Sequence, residues 1–167
     1  MTLDPFDLLG LPAAFQVDPA ALARAYLARS AAAHPDLSDD PAAAGDSAAL
    51  NQARQALEDP EMRADVLLTR LGGPSREADR TLPEGFLAEM MAVREELEAA
   101  GAAGDSAAAA RLEEWAGGQR AEHIARVGAM FQGLTGEPAQ ASLKAIRREL
   151  NAWRYIERML EQIRLER

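Results

Sequence analysis

The stretch Ser30-Ala31-Ala32-Ala33-His34-Pro35-Asp36-Leu37-Ser38-Asp39-Asp40 decides how the first half of this chain is read. An alanine-rich run of helical character meets a proline, and the residue before proline is pushed out of the α region. Upstream, Asp18-Pro19 supplies an N-cap followed by proline at the first helical position. Leu22, Ala25, Tyr26 and Arg29 follow at helical spacing, so a helix is expected up to Ala33, stopping near His34. Two readings of the corner stay open on these residues alone. His34 and Asp36 are half of a metal site or a catalytic pair, or they are a helix stop in which His34 meets the last carbonyls and Asp36 sits in the turn. The metal reading needs further ligands, and the one other histidine, His123, is expected at the surface of a different domain.

Working outward, residues 5–12 (PFDLLGLP) leave room for a turn or two of helix before Gly10 and Pro12 end it. Residues 37–46 (LSDDPAAAGD) read as a mobile surface loop, after which Asp46-Ser47 caps a helix with Leu50, Ala53, Ala56 and Leu57 on its apolar face. Asp59-Pro60 repeats the cap-plus-proline signature and opens a helix carrying Met62, Val66, Leu67 and Leu71 to Gly72-Gly73. Residues 74–80 have no apolar stretch and read as a linker between domains 1–73 and 81–167. The second domain shows three long helical patterns. Residues 83–100 carry Phe86, Met90, Val93 and Leu97. Residues 105–134 carry Leu112, Trp115, Val127, Met130 and Phe131, with Gly117-Gly118 as a weak point, and a third pattern from residue 138 onward carries Ile146, Leu150, Trp153, Ile156, Leu160 and Ile163. Three such helices joined by glycine-containing turns make a bundle, and the whole chain is expected to be all-α.

Composition narrows the function. Of 167 residues 48% are hydrophobic, but alanine dominates and aromatics are only 5%, which favours packed helices over sheets. A net charge of −9 repels phosphate backbones, so nucleic-acid binding is not expected. There is no cysteine, which excludes disulfides, thiolate metal sites and cysteine nucleophiles. Without a membrane-length apolar run or a signal-peptide pattern, the expectation is a cytoplasmic protein with no membrane attachment. Glu95-Glu96 and Glu113-Glu114 splay to different helix faces and make no carboxylate dyad. No cofactor, metal or catalytic residue is expected.

The context of the tripeptide is more specific than the tripeptide. A capped helix ending in His34-Pro35-Asp36, a loop, and a helix ending in Leu57-Glu58-Asp59-Pro60-Glu61-Met62-Arg63-Ala64 resembles the J-domain, whose helical hairpin presents that tripeptide to a DnaK-type chaperone ATPase. Residues 6–12, Asn51-Gln52-Ala53, residues 60–68 (PEMRADVLL) and residues 86–97 (FLAEMMAVREEL) further resemble the HscB co-chaperones of iron–sulfur cluster assembly. The resemblance implies an N-terminal J-domain and a C-terminal three-helix bundle. It implies that Arg24, Arg29, His34, Pro35 and Asp36 meet a DnaK/HscA-type ATPase, with Pro35 setting the corner and Asp36 presenting its charge.

A second surface follows from the helix at 83–100. If Phe86, Met90, Val93 and Leu97 face the core, Leu87 and Met91 lie about 100° round the helix, with Glu95 and Glu98 continuing the strip. A broad buried stripe would use the same residues. The resemblance implies instead that Leu87, Met91, Ala92 and Glu95, with Tyr155 from the last helix, bind the iron–sulfur scaffold protein IscU.

Overall fold

The computed structural model describes residues 4–32 and 42–165, apart from the side chains of residues 42–46. Seven helices and no strand occur among them, as the all-α expectation required. They are α1 (Pro5–Leu9), α2 (Pro19–Ala32), α3 (Ala42–Glu58), α4 (Pro60–Arg70), α5 (Phe86–Ala103), α6 (Ser106–Gln132) and α7 (Gln140–Leu165). The chain divides into two compact units, Met1–Gly72 and Gly73–Arg167.

In the first unit, α1 is short because its ends are defined locally. The Asp4 carboxylate accepts from the Phe6 backbone N–H at 2.8 Å, Pro5 takes the first helical position, and Gly10 closes the helix at φ 69°, a left-handed conformation that costs a glycine little. Arg70, in the last turn of α4, donates to Asp4 at 2.8 Å and to Asp7 at 3.0 Å, joining the acidic start of α1 to the end of α4. The core comprises Phe6, Leu9, Phe15, Leu22, Leu50, Leu57, Leu67 and Leu68 with alanines 53, 56 and 64 between them. Small residues there let α3 approach its neighbours closely.

Two expectations change. Helix α3 begins at Ala42, so residues 42–46 are helical and Asp46 lies inside the helix instead of capping it. The alanines of 42–44 have the highest helix propensity of any residue and extend the helix through a stretch that glycine and aspartate suggested was a loop. On α4 the buried stripe is Ala64, Leu67 and Leu68, with Met62 half-exposed. Residues 64, 67 and 68 obey the i, i+3, i+4 rule, and Met62 falls off that face.

In the second unit α6 and α7 run antiparallel, because their cross-links pair ascending with descending numbers: Glu113 with Arg164, Arg120 with Glu157, and Arg126 with Glu149. Helix α5 turns sharply into α6 at Gly104 (φ 64°), and the Asp105 carboxylate caps α6 by accepting from the Ala108 N–H at 2.9 Å. A shared core joins Phe86, Met90 and Leu97 of α5, Leu112 and Ala116 of α6, and Ala152, Ile156, Leu160 and Ile163 of α7. Trp153 is fully buried, its indole N–H donating to Glu157, whereas Trp115, part of the apolar pattern of residues 105–134, is only partly buried against this cluster. Helix α6 passes through Gly117 and Gly118 without a break.

Residues 74–82, expected as a linker at their start, are held along α7. The buried Arg147 donates to the Pro74 carbonyl at 2.9 Å, and the Asn151 amide donates to the carbonyls of Asp79 and Thr81, each at 3.0 Å.

His123 is the clearest correction. Expected at the surface, it is 3% exposed, and its Nδ1 lies 2.6 Å from a Glu149 oxygen that also accepts from Arg126 at 2.6 Å. It shares one face of α6 with Leu112, Ala116 and Val127, at spacings of 4, 7 and 4. Flanking charges at Glu122 and Arg126 obscured that periodicity.

Candidate partner-binding surfaces

The first surface is carried by α2. Leu22 anchors the helix in the core, and Tyr26 ties it to α3: its hydroxyl donates to the Asn51 side-chain oxygen at 2.7 Å, and the Arg54 guanidinium lies 4.9 Å from its ring centre. The opposite face is open. Arg24 is exposed and only loosely paired with Asp18 at 3.8 Å. Arg29 is exposed too, its guanidinium reaching toward Gly10, where an added Cβ would come within 3.0 Å of it. Between them Leu27 is 64% exposed, an apolar side chain one turn along from Arg24 that sequence reasoning passed over. Its signal was present: Leu27 is five residues from Leu22, off the buried face. Described residues end at Ala32 on this side, so His34, Pro35 and Asp36 lie outside them.

The second surface is on α5. Phe86, Met90 and Leu97 are buried, Val93 is partly so, and the next strip round the helix faces solvent. Leu87 is 53% and Met91 57% exposed, with Ala92 and Glu95 also exposed. The open apolar strip and the buried stripe are therefore separate faces of α5. Tyr155 of α7 is half-buried and meets the Phe86 ring edge-on, centroids 5.7 Å apart at 90°. Phe86 thus links Tyr155 to the helix that carries the strip.

The electrostatics are structural. At the His123–Glu149–Arg126 cluster burial works to raise the Glu149 carboxyl, but the hydrogen bond and attraction of His123, then those of Arg126, outweigh it and hold the group below the usual carboxylate range. An ionised carboxylate only accepts, so His123 Nδ1 carries the proton toward it. Among the described residues no group of three or more His, Asp or Glu side chains is placed to hold a metal ion, and no helix is long and apolar enough to cross a membrane. The two surfaces present exposed aliphatic side chains, a half-buried aromatic and a few charges.

Residues 82–164 match the family model of the HSCB C-terminal oligomerisation domain. The chain belongs to the HscB family of co-chaperones. Its likeness extends over both units. The structure of chaperone HscB from Vibrio cholerae is 25% identical with a TM-score of 0.76, over 97% of this chain and 96% of that one. Human co-chaperone protein HscB is 26% identical with a TM-score of 0.81, over 98% of this chain and 82% of that one. This HscB-type chain accordingly combines an N-terminal J-domain with a C-terminal helical domain, the architecture that the two cap-plus-proline helices and the three long apolar periodicities implied.

Proposed function

We propose that this protein is a non-enzymatic co-chaperone of iron–sulfur cluster assembly, which stimulates the ATPase of a DnaK/HscA-type chaperone through its J-domain and delivers an IscU-type scaffold to it through its C-terminal bundle. The observation that carries the reading is the open strip of Leu87 and Met91 on α5, separate from that helix's buried stripe, in a chain whose likeness to two HscB proteins runs nearly end to end. Exposed aliphatic side chains beside an aromatic, rimmed by Glu95, have the composition of a small protein interface.

The effector corner is His34-Pro35-Asp36, approached along an α2 face on which Arg24 and Arg29 attract an acidic ATPase surface and Leu27 adds apolar contact. The scaffold site is Leu87, Met91, Ala92 and Glu95 with Tyr155. With no cysteine the chain lacks thiolates for a cluster, which travels as cargo on the scaffold. Holding chaperone and scaffold on one molecule raises the concentration of each near the other, and this is the mechanical use of two surfaces. ATP hydrolysis takes place in the chaperone.

The test is the chaperone's steady-state ATPase with this protein, with and without scaffold. A rise from the protein alone and a more than additive rise with scaffold supports the proposal. Stimulation without synergy points to a J-domain protein for another client. No stimulation reduces the chain to a helical adaptor.

A further inference from the structure

A cleft of about 360 Å³ lies in the second unit between residues 76–82 and the middle of α7. Arg76, Arg80, Arg154 and Arg158 line it against a single carboxylate, Glu77, in a chain whose net charge is −9. Positive charge is thus concentrated here in a chain that is acidic as a whole. Glu77 offsets part of it: its carboxylate stands 3.8 Å from Arg76 and is attracted by Arg80 as well, while accepting from its own backbone N–H and from Ser75, which leaves one carboxylate for four guanidiniums.

Two polar atoms in the same cleft are buried without a partner. Asn151 spends both amide hydrogens on the carbonyls of Asp79 and Thr81, so its orientation is set, and its Oδ1 is buried with nothing donating to it. Arg76 Nη1 is buried with nothing accepting from it. A buried donor or acceptor left in this way costs about 1–3 kcal/mol, so each gains from a polar partner, whether a water or a group of a ligand. Leu82 and the Tyr155 ring supply an apolar wall.

An occupant that suits all three features carries an anion, an N–H donor and some apolar surface. Inorganic phosphate meets the arginines but is almost wholly an acceptor and leaves Asn151 Oδ1 and the apolar wall unused. An acidic residue within an extended peptide meets everything: its carboxylate on the guanidiniums, a backbone N–H on Asn151 Oδ1, its methylenes against Leu82 and Tyr155. We infer that the cleft binds an acidic residue in an extended segment of a protein partner. Tyr155 belongs both to this cleft and to the proposed scaffold site, but the inference stands on the cleft's own chemistry and does not need that partner to be a scaffold.

The test is titration of the isotope-labelled full-length protein with a capped peptide of alternating glutamate and glycine, followed by NMR of the Asn151 side-chain amide and the arginine Nε–H groups. Saturable shifts of Asn151 and of the cleft arginines are expected, weakening as salt rises. Arg80→Glu with Arg158→Glu, both at exposed positions, should weaken binding at least tenfold while leaving the unfolding curve of the second unit unchanged. No saturable shift at Asn151 overturns the inference, as does equal binding of the corresponding glutamine peptide. Inorganic phosphate producing the same shifts at equal or lower concentration overturns it in favour of a bare anion site. The scaffold and chaperone are absent from this titration, so its failure and a failure of ATPase synergy are separate results.

Discussion

Replacing Glu149 with alanine should destabilise the second unit by about 1–4 kcal/mol at neutral pH. The magnitude has two parts. His123 is 3% exposed and its Nδ1–H donates to Glu149, so truncation leaves a buried donor unpaired, at about 1–3 kcal/mol. Arg126 loses a charge-assisted bond of 2.6 Å, but its side chain is half-exposed and water replaces much of the contact, so this adds about 1 kcal/mol or less. Both tryptophans, Trp115 and Trp153, belong to the second unit, so urea unfolding followed by tryptophan fluorescence reads that unit specifically. With a slope of about 2 kcal/mol per molar urea, the midpoint should fall by about 0.5–2 M. His123→Ala combined with Glu149→Ala should cost less than the sum of the two, with a coupling of about 1–3 kcal/mol. The sign with pH follows from the carboxyl being held below its unfolded value, about 4.3 for glutamate. Its contribution is present above that value and is lost as pH falls through the folded pKa, so the gap between wild type and Glu149→Ala should narrow as the pH drops below about 4. A midpoint unchanged by Glu149→Ala, or strict additivity of the pair, would refute the cluster as a coupled buried network.

Other outcomes follow from the two surfaces and the helices. Asp36→Ala should abolish ATPase stimulation while circular dichroism shows the helical content unchanged; retained stimulation removes the effector assignment. Leu87→Ala with Tyr155→Ala should weaken scaffold binding by calorimetry at least about thirtyfold, or some 2 kcal/mol or more, and leave stimulation by the protein alone intact. Gly118→Ala should stabilise the second unit by about 0.5–1 kcal/mol, because Gly118 is helical and an added Cβ meets nothing within 4 Å; a lower thermal midpoint would mean that the glycine has a packing role.

Much of the fold was legible because its helix boundaries are local events. Asp18-Pro19 and Asp59-Pro60 each set a helix start through one carboxylate and one proline, and α2 and α4 begin at those prolines; Asp4-Pro5 does the same for α1, of which only the end at Gly10 was read from the sequence. The start of α3 was misread since alanine propensity and the turn-forming residues around it pull in opposite directions, and local pattern cannot weigh them. Met62 and His123 failed for a different reason. Both depend on which face of a helix the neighbours cover, and hydrophobicity at a single position answers that poorly when a methionine lies off the core and a histidine lies within it.

The sequence by itself determined the all-α class, the two-unit order and the separation of Leu87 and Met91 by about 100° from the Phe86–Met90–Leu97 stripe, because capping, proline geometry and 3.6-residue periodicity act over a few residues at a time. Only the tertiary structure decided that Leu87 and Met91 stay open while Met90 is buried, that Glu149 and His123 meet across α6 and α7, and that Asn151 pins residues 79–81 beside a cleft of arginines. Those facts join residues 26 or more positions apart or turn on which neighbouring element covers a face. Packing brings them together, and no local rule contains the distances that packing makes short.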